Sequence, residues 1–280
     1  MLRGMTTRPV VEFDTSTPVI DSHQHVMLPV QDQIDALDEA GIDKAVLIIA
    51  RPHPERASDL AGFQREMAVL SRATSGGSDG DEPLRAAMSE QRAALHAHPD
   101  RFLGFGPVPV AGASDIDRWV DEEVAGHGFR GIGELVPVPD RGEEIEPVVR
   151  AASDHGLPVL VHGYAPQTLA DIRAFAEIAR RHPGAPVIIG QLGGANWLTA
   201  IEAARDVPNL YLDISTPQLA FGPLLAMQEC PEKTLFASDA PYDDMVSIRV
   251  LAERMIARTR CGSELRARIL GGTLLSLLAD

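Results

Sequence analysis

His23 and His25 stand two residues apart, directly after the apolar, β-branched run Pro18-Val19-Ile20. In an extended strand, side chains at that spacing point to the same face, so both imidazoles aim at one place. Neutral imidazole is the commonest side-chain ligand for borderline divalent metals, and such a pair is half of a metal site. Nine histidines in 280 residues also produce this spacing by chance. The rest of the chain decides between the two readings.

Elements that could position these rings recur along nearly the whole chain. After the first strand come the segments 44–50, 101–105, 128–134, 158–162, 186–190, 209–214 and 234–239, each short and rich in Val, Ile, Leu or Phe. Several are continuously apolar, the pattern of strands covered on both faces in a parallel sheet. Amphipathic segments alternate with them. Thr168 with Asp171 three residues on reads as a capped start, and Arg180-Arg181 followed by Pro183 as a stop. The segments 115–125, 143–155, 196–205 and 244–259 read the same way. Eight strand-helix alternations predict a (β/α)8 barrel, with an open doubly wound sheet as the weaker choice. Residues 18–280 form that single domain, and residues 1–17 read as a tail.

One connection departs from the pattern. Residues 52–100 contain two helical stretches, Leu60-Phe63-Met67-Leu70 and 84–96, separated by the polar Gly/Ser segment 74–82, read as a flexible loop. An insertion after the second strand emerges on the face where such barrels keep their active sites, as a lid, an oligomer contact or a surface excursion without a role.

On a barrel, the chemistry stands at the C-terminal ends of the strands. Those ends carry His23 and His25, Arg51, Glu134, His162, Gln191, Asp213 with Ser215, and Asp239. Polar groups are costly in a strand's core, so their convergence on one mouth argues for a site. Three imidazoles and a carboxylate, His23, His25, His162 and Asp239, match a single divalent metal with one open position. Glu134 is a further ligand, an orienting partner of His162 or a salt-bridge partner of Arg130. Arg51 is a bidentate clamp for a substrate carboxylate or a surface arginine. Asp213 and Ser215 read as structural. His53 could line the pocket and Trp197 could wall it, whereas Trp119 reads as helix packing.

Composition narrows the partners. A formal charge of −15, from 25 Lys+Arg against 40 Asp+Glu, repels a phosphate backbone, and nucleic acid is excluded as an expected partner. No apolar leader precedes Pro18 and no run of about eighteen apolar residues occurs, which predicts a cytoplasmic protein with no membrane contact. Cys230 and Cys261 fit no ligand spacing.

The segments 19–25, 159–162, 209–215 and 235–241 resemble the strand one, five, seven and eight signatures of the amidohydrolase superfamily, in the amidohydrolase-2 branch that includes lactone hydrolases and metal-dependent decarboxylases. Gly131-Ile-Gly-Glu134 and the terminal Ile269 to Leu275 fit the same template. The resemblance implies a barrel, a metal held by the His-x-His pair and His162, and an Asp239 that both touches the metal and moves protons. Two positions depart from it. The family's His-x-Gly-Gly after strand six is Gln191-Leu-Gly-Gly194, and its Gly-Asn near the C-terminus is Gly272-Thr273. An amide donates a hydrogen bond but cannot titrate. No strand-four lysine stands where a bridging carbamate would form, so one metal is expected: zinc first, with manganese, iron or nickel as alternatives.

The expected reaction is hydrolysis of a small lactone, amide or ester, one bearing a carboxylate, by a water whose pKa a bound zinc lowers to ~7. Asp239 would move the protons, and Gln191 and Arg51 would contact substrate. The alternative is non-oxidative decarboxylation of a small or aromatic carboxylic acid. A second alternative is a degenerate site that only binds metal or a small molecule. A homo-oligomer is compatible with all three.

Overall fold

The computed structural model describes Phe13 and residues 16–75, 81–110, 115–260 and 262–278. Eight parallel strands lie in sequential order: β1 (Ile20–His25), β2 (Lys44–Ile48), β3 (Phe102–Gly106), β4 (Gly131–Leu135), β5 (Val159–Val161), β6 (Val187–Ile189), β7 (Leu210–Asp213) and β8 (Thr234–Leu235). The seam between β8 and β1 is joined by Ser22 N donating to Phe236 O, Asp239 N to His23 O and His25 N to Ala240 O. This is the expected (β/α)8 barrel.

Alternation along the strands separates two apolar layers. Val46, Ile48, Phe105, Leu160, Ile188 and Leu235 fill the barrel's interior. Their neighbours Ala45, Leu47, Val159, Val161, Val187 and Ile189 face outward, in one cluster with helix residues such as Leu37, Ile172 and Phe175. A side chain's layer is thus set by its parity along the strand.

The helices begin and end where their caps place them. The first, α1 (Val30–Ala40), stops at Gly41, whose left-handed conformation caps it. In the helix Leu169–Arg181, Thr168 and Asp171 form the reciprocal capping box. Asp244 caps Met245–Thr259 through Ser247 N. The stretch 115–125 is less regular than its periodicity suggests: a short helix, Ile116–Trp119, runs into a π-helical turn, Val120–Ala125. Between β2 and β3 lie α2 (Leu60–Thr74) and α3 (Asp81–Ala97). The Gly/Ser loop expected between them falls largely outside the described residues, as do Cys261 and most of the N-terminal tail. Phe13, within that tail, packs its ring against the Arg249 guanidinium at 4.8 Å.

The strand ends differ from the sequence reading. β1 runs through His25, and β2, β5, β6 and β8 stop short of the segments read as strands. Beyond β8, Ser238 N turns to Asp21 Oδ1 and Asp239 takes a positive φ of 61°. The backbone there leaves the ladder to aim side chains into the mouth.

Candidate metal centre

His23 Nδ1 lies 2.8 Å from Asp213 Oδ2, and His25 Nδ1 lies 2.8 Å from the carbonyl oxygen of Ile49. A carbonyl only accepts, so His25 carries its proton on Nδ1, and the Asp213 carboxylate favours the same tautomer in His23. Both Nε2 lone pairs are left for a ligand. Each Nε2 is 3.3 Å from Asp239 Oδ1, and His23 Nε2 is 3.7 Å from Glu134 Oε1. His23, His25 and Glu134 offer donor atoms all within 4.8 Å of one another.

Buried His23 Nε2 and Asp239 Oδ1 have no hydrogen-bond partner. Leaving a polar atom so costs about 1–3 kcal/mol. Two ligands of one tetrahedral ion with bonds of ~2.0–2.1 Å sit ~3.3 Å apart, the separation found here. The donor set therefore fits a divalent cation.

Charge points the same way. Glu134, Asp213 and Asp239 surround the fully buried His23. Burial opposes its protonation, but Asp239, Glu134 and Asp213 outweigh it and push its pKa up to about 10. Burial opposes ionisation of Glu134, yet the imidazoles of His162, His23 and His25 hold its carboxyl well below the usual range. The cluster calls for positive charge at its centre.

The backbone that delivers these groups is strained. Gln191, Leu192, Thr216 and Asp239 all have positive φ without being glycine. Such conformations cost of order 1–3 kcal/mol each and gather where a function holds them. Asp213 anchors the turn after β6 by accepting from Gln191 N at 2.9 Å, and it also takes Ser215 N and Ser215 Oγ. Asp213 and Ser215 thus bond to each other within the mouth, and Asp213 is also the residue that orients His23.

His162 stands one step away from the pair. Its Nδ1 is 3.0 Å from Glu134 Oε1 and its Nε2 is 3.4 Å from Ala165 O, so it pairs with Glu134 and lies outside the donor group of His23, His25 and Glu134. Burial opposes its protonation, and Glu134 with Asp239 raises its pKa nonetheless. Gln191 donates from Nε2 to Glu134 Oε1 at 2.9 Å and to Asp239 Oδ2 at 3.2 Å.

These groups open into a cavity of about 920 Å³ lined by His25, Glu134, His162, Gln191 and Asp239. Arg51 lines it too. Met67, Leu70 and Ser71 of α2 and Leu84 of α3 also line it, which places the insertion at the site. His53 and Trp197 are absent from its lining. His53 binds Glu55 and Glu90 instead, because three glutamates surround it.

Two residues escaped the sequence reading. Asp21 accepts from His23 N, Gln24 Nε2 and Ser238 N, tying β1 to the end of β8, and burial pushes its carboxyl up to about 6 against those bonds. Its position beside His-x-His was the only signal. Tyr242 sets its ring edge-on to His25 at 5.1 Å, and burial, Asp239 and Glu134 all keep its phenol protonated. Nothing local marks it.

A closed parallel barrel with nitrogen and carboxylate donors at its C-terminal mouth defines a class of enzyme scaffold. A family model described as amidohydrolase matches residues 20–273, and the chain belongs to that enzyme family. No curated protein matches the sequence. Among solved structures the chain is similar to 5-carboxyvanillate decarboxylase from Sphingomonas paucimobilis, at 15% identity and a TM-score of 0.64, covering 94% of this chain and 99% of that one. It is similar to 2,6-dihydroxybenzoate decarboxylase from Rhizobium at 14% identity and TM-score 0.62, covering 93% and 98%. A dihydroxybenzoic acid decarboxylase from Polaromonas, with bound manganese and 2-nitroresorcinol, matches at 16% and 0.61, covering 93% and 96%. At these identities the likeness is one of fold.

Proposed function

We propose that the protein is a metal-dependent decarboxylase of a small carboxylic acid with a flat apolar body, an aromatic acid being the best fit. The observation that carries this is the unpartnered pair His23 Nε2 and Asp239 Oδ1 beside a cavity walled by Ile48, Ile49, Leu70, Val108 and Val136. Apolar walls suit a ring, and the polar groups gather at the ends of the strands. The fold shared with decarboxylases of aromatic acids supports the reading.

His23, His25 and Asp239 would hold one divalent cation, with Glu134 beside it. When bound, that ion supplies positive charge that anchors the anionic substrate and stabilises the electron density released at carbon. Mixed imidazole and carboxylate donors suit zinc and manganese alike. The apolar walls strip water from the carboxylate, and Arg51 offers a guanidinium within the same cavity. As the carbon–carboxylate bond breaks, its electron pair stays on carbon, and the Asp239 carboxylate relays to that carbon a proton it takes from the substrate's acidic group or from solvent. Carbon dioxide leaves, and Asp239 ends as the carboxylate it began as.

Hydrolysis is the second reading, because Asp239 beside the two imidazoles is equally placed to act as a general base. The test offers metal-reconstituted protein a panel of hydroxybenzoates and a panel of lactones and esters. Carbon dioxide release from an aromatic acid, lost in His25→Ala, is expected. Base consumption with the lactones and no carbon dioxide from any acid would establish hydrolysis instead.

A further inference from the structure

The cavity at the metal centre is larger than a single aromatic ring needs. A void of about 150 Å³ is enough to hold benzene. This cavity measures about 920 Å³, near the top of the ~300–1,000 Å³ range of sites for drug-sized ligands. Its polar lining residues His25, Glu134, His162 and Asp239 form the metal centre, whereas Met67 and Leu70 of α2 and Leu84 of α3 come from the insertion and not from a strand end. One ring at the metal would leave most of that space, and these side chains, to water.

Helix α2 has apolar surface to offer there. Leu60, Phe63, Met67 and Leu70 recur at helical spacing, yet among the described residues of α2 only Gly62 is buried. By contrast, α3 buries Ala87, Met88 and Ala94 as it packs on β2 and β3. The stripe on α2 is therefore not consumed by packing within the fold: Leu60 and Phe63 are exposed, and Met67 and Leu70, half-buried, line the cavity. Apolar surface left open beside a polar site marks a place for a ligand.

We propose that the acid this centre takes carries an apolar extension, a short alkyl chain or a second ring, at the end of its aromatic ring remote from the carboxylate, and that Met67 and Leu70 select for it. The proposal rests on the reading that the cavity takes an aromatic acid with its carboxylate at the metal. With the carboxylate held among the strand ends, the opposite end of the ring points away from the metal, toward the space that the insertion walls. Covering the α2 stripe removes water from both surfaces, which strengthens binding by about fourfold for each buried methylene.

The test separates binding from turnover. Manganese-loaded protein is titrated calorimetrically with benzenesulfonate, its para-methyl to para-butyl homologues and the para-phenyl compound, none of which has carbon dioxide to lose. Dissociation constants are expected to fall about fourfold per added methylene. The kcat/KM for carbon dioxide release from hydroxybenzoates bearing the same para groups should rise in step. In Met67→Ser and Leu70→Ser, checked for folding by circular dichroism, the gain per methylene is expected to drop to about twofold or less. A general loss of binding shifts every member alike and does not move that slope. A wild-type series that is flat or worsens with chain length overturns the proposal, as does failure of every sulfonate to bind, or an unchanged slope in every variant that folds. Should neither variant fold, the wild-type slope decides. An intact slope with no carbon dioxide from any hydroxybenzoate sinks the decarboxylase reading alone, and carbon dioxide from the unextended acid with a flat slope sinks this proposal alone.

Discussion

Asp213 shows how one side chain can set the chemistry of others without touching a ligand. It holds the His23 tautomer, the turn that carries Gln191, and Ser215 together through two carboxylate oxygens. Asp213→Asn puts a donor where acceptors are needed. Metal affinity in that variant should fall by about 10–100-fold, read by calorimetry. His23 makes a second prediction. Without a cation its imidazole stays protonated well above neutrality, and ligation requires the neutral ring. Metal uptake near neutral pH should therefore release protons, and affinity should rise with pH. Titrations in two buffers of different ionisation enthalpy measure the proton count, and a count of zero would contradict the ligand role of His23.

At the scale of elements, His53 ties the turn after β2 to both helices of the insertion, beside Gln91 of α3, which donates to Leu47 O of β2 and Phe105 O of β3. His53, just past β2, meets Glu55 on its own turn and Glu90 on α3, and its backbone N–H donates to Glu66 on α2. Glu55 also accepts from Leu28 N, reaching the loop after β1. The Glu55 hydrogen bond, against burial, raises the His53 pKa above its ordinary 6.5, with Glu55 and Glu90 charges adding to it. Burial opposes ionisation of Glu55, and bonds from His53 and Leu28 N lower its pKa nonetheless. A raised histidine contributes fully below the unfolded value near 6.5 and is lost as pH rises through the raised one. A lowered carboxyl contributes above the unfolded value of about 4.5 and is lost as pH falls through the lowered one. Docking of α2 and α3 should be firmest between those limits. Hydrogen exchange of both helices across pH, corrected for intrinsic rates, should show protection falling at alkaline pH, and less so in His53→Gln. Protection indifferent to pH in both proteins would exclude the latch.

For the whole molecule, the interior of the barrel and its metal act on one stability. Leu160→Ala empties part of the inner layer and should cost about 2–5 kcal/mol in denaturant unfolding. Chelation should lower the melting temperature by removing a ligand of the native state, worth ~2.7 kcal/mol when free metal is a hundredfold above its Kd. Those effects depend on a barrel whose existence was legible in the chain. The continuously apolar runs around Val46, Ile48, Leu160 and Ile188 mark strands covered on both faces, Thr168 with Asp171 marks a helix start, and His-x-His on one strand aims two rings together, because all of these are local patterns. The same local pattern singled out Glu134, His162, Gln191 and Asp239 as residues at strand ends. Which of their atoms meet was not local. Asp213 reaches His23 across 190 positions and Gln191 reaches Glu134 across 57, so the chain gives no spacing from which to read them. Nor does it show the positive φ at Gln191 and Asp239, which the packed surroundings impose against the intrinsic preference of those residues. The sequence by itself determined the scaffold and the donor types. Only barrel closure decided the pairing of donors, since it brings distant strand ends within bonding distance.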